Sequence, residues 1–185
     1  GPYQVKYPST DLGAAGDPVI AFDRQGKAYA ASISMDVEEF TVGNSVGSAA
    51  ISAIPIARSS DGGITWSEPV ASARDHITTK TLDPDAQGEP RYELSLPFLD
   101  KPWMTVGPSS SNPGQDIIYV TYTKFVTRYR VFFLFGVEPF LEVPITETSI
   151  EMVRSEDGGL IWSDPISVSP IVLSTQGEDA PDRVV

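Results

Sequence analysis

Ser59-Ser60-Asp61-Gly62-Gly63-Ile64-Thr65-Trp66-Ser67-Glu68-Pro69 returns further along the chain as Ser155-Glu156-Asp157-Gly158-Gly159-Leu160-Ile161-Trp162-Ser163-Asp164-Pro165. An arginine, Arg58 or Arg154, precedes each copy, and the agreement spreads upstream. Asp17-Pro18-Val19-Ile20-Ala21-Phe22 lies on Lys101-Pro102-Trp103-Met104-Thr105-Val106, and Ala28-Tyr29-Ala30 on Ile118-Tyr119-Val120. A long-period repeat of this kind means that one supersecondary unit is used twice.

The unit reads as β structure. Sixteen prolines and fifteen glycines fall between short apolar runs, and no apolar period of 3.6 residues is sustained between caps. The first repeat is expected to hold strands at 19–22, 27–34, 50–58 and 67–71, the second at 103–106, 116–125, 149–154 and 165–168. A short strand is also expected near residues 4–7. Each copy of the recurring stretch then joins a third strand to a fourth. Its glycine pair supplies positive φ without a Cβ clash. Asp61 and Ser59 are placed to accept backbone N–H groups of the turn, and Trp66 brings a large apolar face back to a neighbouring sheet.

Ser-x-Asp-x-Gly-x-Thr-Trp over 59–66 resembles the Asp-box of the sialidase-like, BNR-repeat β-propellers. The second copy, 155–162, keeps Ser155, Asp157, Gly159 and Trp162 beside Ser59, Asp61, Gly63 and Trp66 of the first, with Ile161 in place of the threonine. The resemblance implies an all-β fold of four-stranded antiparallel propeller blades, about two complete blades with flanking strands. The first blade spans 17–72, an insertion 73–101, the second blade 102–169, and 170–185 starts a third. Two blades cannot close a ring of the usual four to eight. The remaining blades of a six- or seven-bladed propeller are therefore expected from the full-length chain or from another copy.

Connections in an up-and-down sheet alternate between its two ends, so both Asp-boxes lie at one end. The three longest stretches outside the expected strands, 35–49, 72–101 and 126–148, read as loops at the opposite end, where a site is to be sought. Similarity to sialidase-like propellers implies a secreted glycoside hydrolase, extracellular or periplasmic, acting on glycans. An arginine cluster would hold the substrate carboxylate, a Tyr–Glu pair would act at the anomeric carbon, and an aspartate would serve as acid and base. On this basis Asp36, Glu39 and Glu93 are the catalytic candidates, and Arg91, Tyr92, Arg128 and Arg130 the substrate-binding ones. Glu38, Arg74, Asp75 and His76 lie on the same stretches. The Arg-Ile-Pro signature of many sialidases is absent from the chain. The alternatives are a non-catalytic propeller that binds glycans or proteins, and a structural scaffold.

A net charge of −12 argues against nucleic acid or an anionic membrane surface as partner. No apolar run reaches the roughly 20 residues of a membrane span. Cysteine is absent and His76 is the sole histidine, which excludes thiolate chemistry and a two-histidine zinc site. No cofactor is expected, although Asp83, Asp85 and Glu89 offer the hard oxygens that Ca²⁺ takes. The aromatic segment 129–140 is expected to bury itself against its own or the adjacent blade.

Overall fold

The computed structural model describes residues 6–7, 10–11, 14–134 and 138–175. These residues are all-β, without helix. The strands β1 (Lys6–Tyr7) and β2 (Thr10–Asp11) pair with each other. An antiparallel sheet follows in chain order from β3 (Ala14–Phe22), β4 (Ala28–Val42), β5 (Ser45–Ser59) and β6 (Val70–Arg74). The second sheet contains β7 (Thr78–Leu82), β8 (Arg91–Pro108), β9 (Asp116–Leu134), β10 (Glu138–Leu141), β11 (Ile145–Ser155), β12 (Ile166–Ser167) and β13 (Val172–Thr175). Its order is β7-β8-β9-β11-β12, with β10 added to β9 and β13 to β11, all antiparallel.

The sequence repeat is carried into the register. Tyr29 pairs with Arg58 and Ala28 with Ser59, as Tyr119 pairs with Arg154 and Ile118 with Ser155. The upstream alignment also has a physical counterpart. Both β3 and β8 carry a bulge, between Gly16 and Val19 and between Asp100 and Trp103, at the residue that precedes a proline. Asp17 and Lys101 take φ of 47° and 51° there, the positive-φ non-glycine residues among the described ones. An L residue enters that region at a cost, so the matched pair of bulges is a feature that both repeats share. The two side chains also meet, Lys101 Nζ lying 2.8 Å from Asp17 Oδ2.

One face of the first sheet packs on the second sheet. Tyr29, Ala31, Ile54 and Ile56 meet Leu99, Met104, Ile118, Val120, Tyr122 and Val153 in the main core. Where β5 crosses β8, the buried Ser52 hydroxyl accepts the Leu99 N–H at 2.5 Å and donates to the Leu99 carbonyl at 2.9 Å. β7 has ended opposite Ser95, so this hydroxyl satisfies backbone groups that no neighbouring strand reaches.

Among the described residues, much of the three stretches expected as long loops is instead strand. Residues 35–49 extend β4 and β5 into a hairpin paired as far as Val42 and Ser45, with Gly43 at its tip. Within 72–101 lie β7 and the first half of β8, and within 126–148 the end of β9, all of β10 and the start of β11. Period-two alternation in these stretches is masked by polar residues on both faces, because past the main core neither face is continuously apolar.

A second apolar cluster holds the extensions together. Val42, Leu94 and Val131 are buried there, with Phe40, Ile77, Tyr92, Leu96, Tyr129 and Phe133 around them. On β9 the main core takes even-numbered residues and the second cluster odd-numbered ones, and β4 switches in the opposite sense. Right-handed twist along strands this long turns the opposed faces over, so both partners change sides. The aromatic segment is thus divided: Tyr129 and Phe133 pack, while Phe140 and Leu141 are exposed. Gly43 is required at the tip, since a Cβ there would come within 2.8 Å of the Phe133 ring.

Candidate functional site

The Asp-boxes are turn devices. Ser59 donates to Asp61 at 2.8 Å and accepts the Gly63 N–H at 2.9 Å. Asp61 receives the N–H and the hydroxyl of Thr65, the latter at 2.6 Å. These bonds, the threonine hydroxyl first, lower the Asp61 carboxyl to a pKa of about 2. Ser155 and Asp157 repeat the pattern, with Gly159, Leu160 and Ile161 as donors. Both glycine pairs have positive φ, as the turn chemistry predicts. Open clefts of about 340 and 350 Å³ recur beside Trp66 and Trp162, lined by Arg58 and Ser67 in one and by Arg154 and Ser163 in the other. Their recurrence at matching positions makes them products of the turn rather than of a particular chemistry.

At the opposite end, the even-numbered side of β9 carries charge once it leaves the core. Lys124, Val126 and Arg128 of β9, Glu147, Ser149 and Glu151 of β11, and Ile171 line a cleft of about 180 Å³. Arg128 grips Glu147 with both ends of its fork, Nε to Oε1 at 2.9 Å and Nη2 to Oε2 at 3.1 Å. Its Nη1 reaches Glu93 at 3.2 Å and Ser95 Oγ at 3.0 Å. Such bidentate, charge-assisted pairs are the strong kind. The bond to Arg128 holds the Glu147 carboxyl below its ordinary range, and Glu147 in turn raises Arg128. Lys124 bridges Asp75 at 2.6 Å and Glu151 at 3.3 Å. Burial pushes its ammonium down, but the two carboxylates outweigh that and leave it above the usual lysine range.

Glu151 also accepts the Tyr122 hydroxyl at 3.0 Å. Tyr122 belongs to the main core, with 2% of its surface exposed. Burial, then the Glu151 charge, drives its phenol far above the ordinary tyrosine value. Here a neutral, buried phenol anchors a carboxylate that lines the cleft.

The residues expected at the site separate. Glu93 and Arg128 come together as described. Arg91 and Glu93 share a strand side that Tyr92 does not, as period two requires. Tyr92 sits edge-on to Phe133 with ring centroids 5.7 Å apart, at the second apolar cluster. Arg91 donates to the Asp83 and Pro84 carbonyls and ties down the 83–90 turn. Arg130 is exposed, 3.9 Å from Glu142. Asp36 and Glu39 lie on the β4–β5 hairpin, Asp36 accepting the Val37 N–H at 2.7 Å. Glu38 holds His76 at 2.8 Å and the Ile77 N–H at 3.1 Å. Asp85, offered as a calcium ligand, uses Oδ1 to accept the Gln87 and Glu89 N–H groups of its own turn. Among the described residues, no three His, Asp or Glu side chains gather as a metal-holding group.

Sequence reasoning passed over Lys124, Glu147, Ser149 and Glu151. A partial signal was there: Glu147-x-Ser149-x-Glu151 is polar at period two, while on the facing strand Val126 interrupts Lys124 and Arg128. Comparison with protein-family models, with curated proteins and with solved structures found no match.

Proposed function

We propose that this chain contributes two consecutive blades of a sialidase-like β-propeller, and that the end opposite its Asp-boxes binds a neutral glycan without cleaving it. The cleft between β9 and β11 carries this reading. Its charged groups alternate and are already paired, giving fixed donors and acceptors side by side. Sugar hydroxyls each donate and accept, so they can pair with both kinds of group. An acidic sugar fares worse. Its carboxylate would have to displace Glu147 from the Arg128 fork, and four carboxylates, Asp75, Glu93, Glu147 and Glu151, surround two cations there. The hydrolase that the resemblance implies would need its nucleophile and arginine cluster from other blades. An extracellular or periplasmic setting suits a glycan-binding role.

Titration calorimetry of the chain against neutral oligosaccharides and their sialylated counterparts tests this. Neutral ligands are expected to bind more tightly, and Glu147→Gln to weaken them about tenfold, the worth of one charge-assisted hydrogen bond. Preference for the sialylated ligands, or release of a fluorogenic sialoside, overturns the reading.

A further inference from the structure

Where the β4–β5 hairpin lies against β9 and β10, a second cleft of about 230 Å³ opens. Val131 and Phe133, which line it, are odd-numbered on β9, whereas Lys124 and Arg128 of the charged cleft are even-numbered. The two clefts therefore lie on opposite sides of that strand. The floor of the second is Val42, Leu94 and Val131, all buried. Its walls carry two aromatic rings, Phe40 from the first repeat and Phe133 from the second. Missing side chains make room for both rings. A Cβ on Gly47 would come within 2.7 Å of the Phe40 ring, as one on Gly43 would within 2.8 Å of Phe133.

Among the described residues, no charged side chain lines this cleft, and Ser45 brings its one hydroxyl. Protein interiors pack closely, so an apolar space of this size forgoes dispersion contacts that a fitting molecule would restore. Size limits that molecule. A cavity of about 150 Å³ takes one benzene ring, so the space here suits one ring or two fused ones. A protein partner fits the rim poorly. Stable association needs roughly 800 Å² from each side, and the rim offers Val46, 72% exposed, and Leu141, 51% exposed. Phe140, also exposed, faces the other side of β10, and Leu141 is followed at once by the Arg130–Glu142 pair.

We propose that this cleft binds an uncharged aromatic molecule of one or two rings that carries a single hydroxyl or N–H group. Phe40 and Phe133 give its ring the edge-to-face or offset partners that aromatic systems prefer. The Ser45 hydroxyl can accept from its polar group. A charged ring would shed its water with no counter-charge in the lining to replace it. The site requires neither a propeller nor a glycan on the far side of β9, so each reading can fail alone.

Methyl NMR of the full chain titrated with indole tests this. Saturable shifts are expected at Val42, Val46, Leu94, Val131 and Leu141, with a Kd of about 1 mM or tighter. Benzoate and benzylammonium should bind about tenfold more weakly than benzyl alcohol. Ser45→Leu fills the cleft and should abolish the indole shifts while circular dichroism shows an intact fold. Leu141→Ala, at the exposed rim where little stability is at stake, should weaken indole about threefold. Absence of saturable shifts at those methyls overturns the proposal, as does benzoate bound as tightly as benzyl alcohol. Undiminished indole binding in folded Ser45→Leu or in Leu141→Ala overturns it too. Shifts at the same methyls that grow with protein concentration, without indole, would assign the cleft to a second copy and overturn the occupant named here.

Discussion

The two Asp-boxes share a backbone but are held by different forces. In the first, Thr65 sends both its N–H and its hydroxyl to Asp61, and Trp66 Nε1 donates to the Gly63 carbonyl. Little else touches it: nothing lies within 4 Å of a Cβ placed on Gly62, and Ile64 is 83% exposed. In the second, Ile161 has no hydroxyl to give, and the buried Nε1 of Trp162 has no hydrogen-bond partner. That box is instead pressed into the seam, its tryptophan against the main core and its glycines against Tyr29 and Arg58. The motif can thus be stabilised internally or by a neighbour. A turn gripped by the next repeat has less need of its full polar set.

The strongest way to break this contrast is to remove the two tryptophans. Trp162→Ala should destabilise by about 3 kcal/mol, because it takes an aromatic face out of the inter-repeat core. Trp66→Ala should cost about 1 kcal/mol, the loss of a partly exposed ring and one indole hydrogen bond. Urea unfolding of both variants measures the difference, and equal losses would show that the seam adds nothing to the second box.

Breaking the seam away from the boxes gives a smaller but still large effect. Ser52→Ala leaves the Leu99 N–H and carbonyl unsatisfied in the crossing of β5 and β8, and a loss of about 2 kcal/mol is expected. Ser52→Thr keeps the hydroxyl and should recover part of it. If alanine is tolerated, the crossing is held by apolar contact alone.

How much of this was legible in the residues follows from what each signal encodes. Asp61-Gly62-Gly63 and its copy specify a local turn, so both hairpins, their positive-φ glycines and the strand pairs that flank them could be read from the chain. The alignment of Asp17-Pro18 with Lys101-Pro102 was legible too, although that it marks paired bulges was not, since a bulge is a property of two strands in register. The long hairpins were misread as loops because their cohesion comes from the other sheet: Phe40 lies over Gly47 across its own ribbon, and Phe133 over Gly43 from the second sheet. At the site, Arg128 and Glu93 were found by residue type. Their partner Glu147 was missed because only the β9–β11 register brings it there.

Exchanging the polar sets sharpens the contrast further. Ile161→Thr offers Asp157 the hydroxyl that Asp61 already has, and a gain of about 0.5 kcal/mol is expected at this exposed turn. Ile161 is 75% exposed, so little apolar packing is given up. Thr65→Val in the first box should lower the urea midpoint. A second box indifferent to the added hydroxyl would mean that its geometry is already set by Tyr29 and Arg58.

Acid separates the boxes by the smallest margin, and the sign follows from the depressed carboxyls. Asp61 ionises at about 2 in the folded protein, below the ordinary aspartate value, because Thr65 and Ser59 donate to its charged form. Its contribution to stability is therefore complete above the unfolded value of about 4 and is lost as pH falls from there toward 2. Asp157 is depressed as well, through backbone donors led by Ile161 and without a threonine hydroxyl. Both boxes accordingly weaken in the same acid window, the first through its own bonds and the second with the seam still in place. Melting temperatures of the parent, Asp61→Asn and Asp157→Asn between pH 5 and 2 should show a shallower acid slope for each variant, most of all for Asp61→Asn. An unaltered slope in Asp61→Asn would place the acid sensitivity elsewhere, in the Arg128–Glu147 pair, whose carboxyl is also held low.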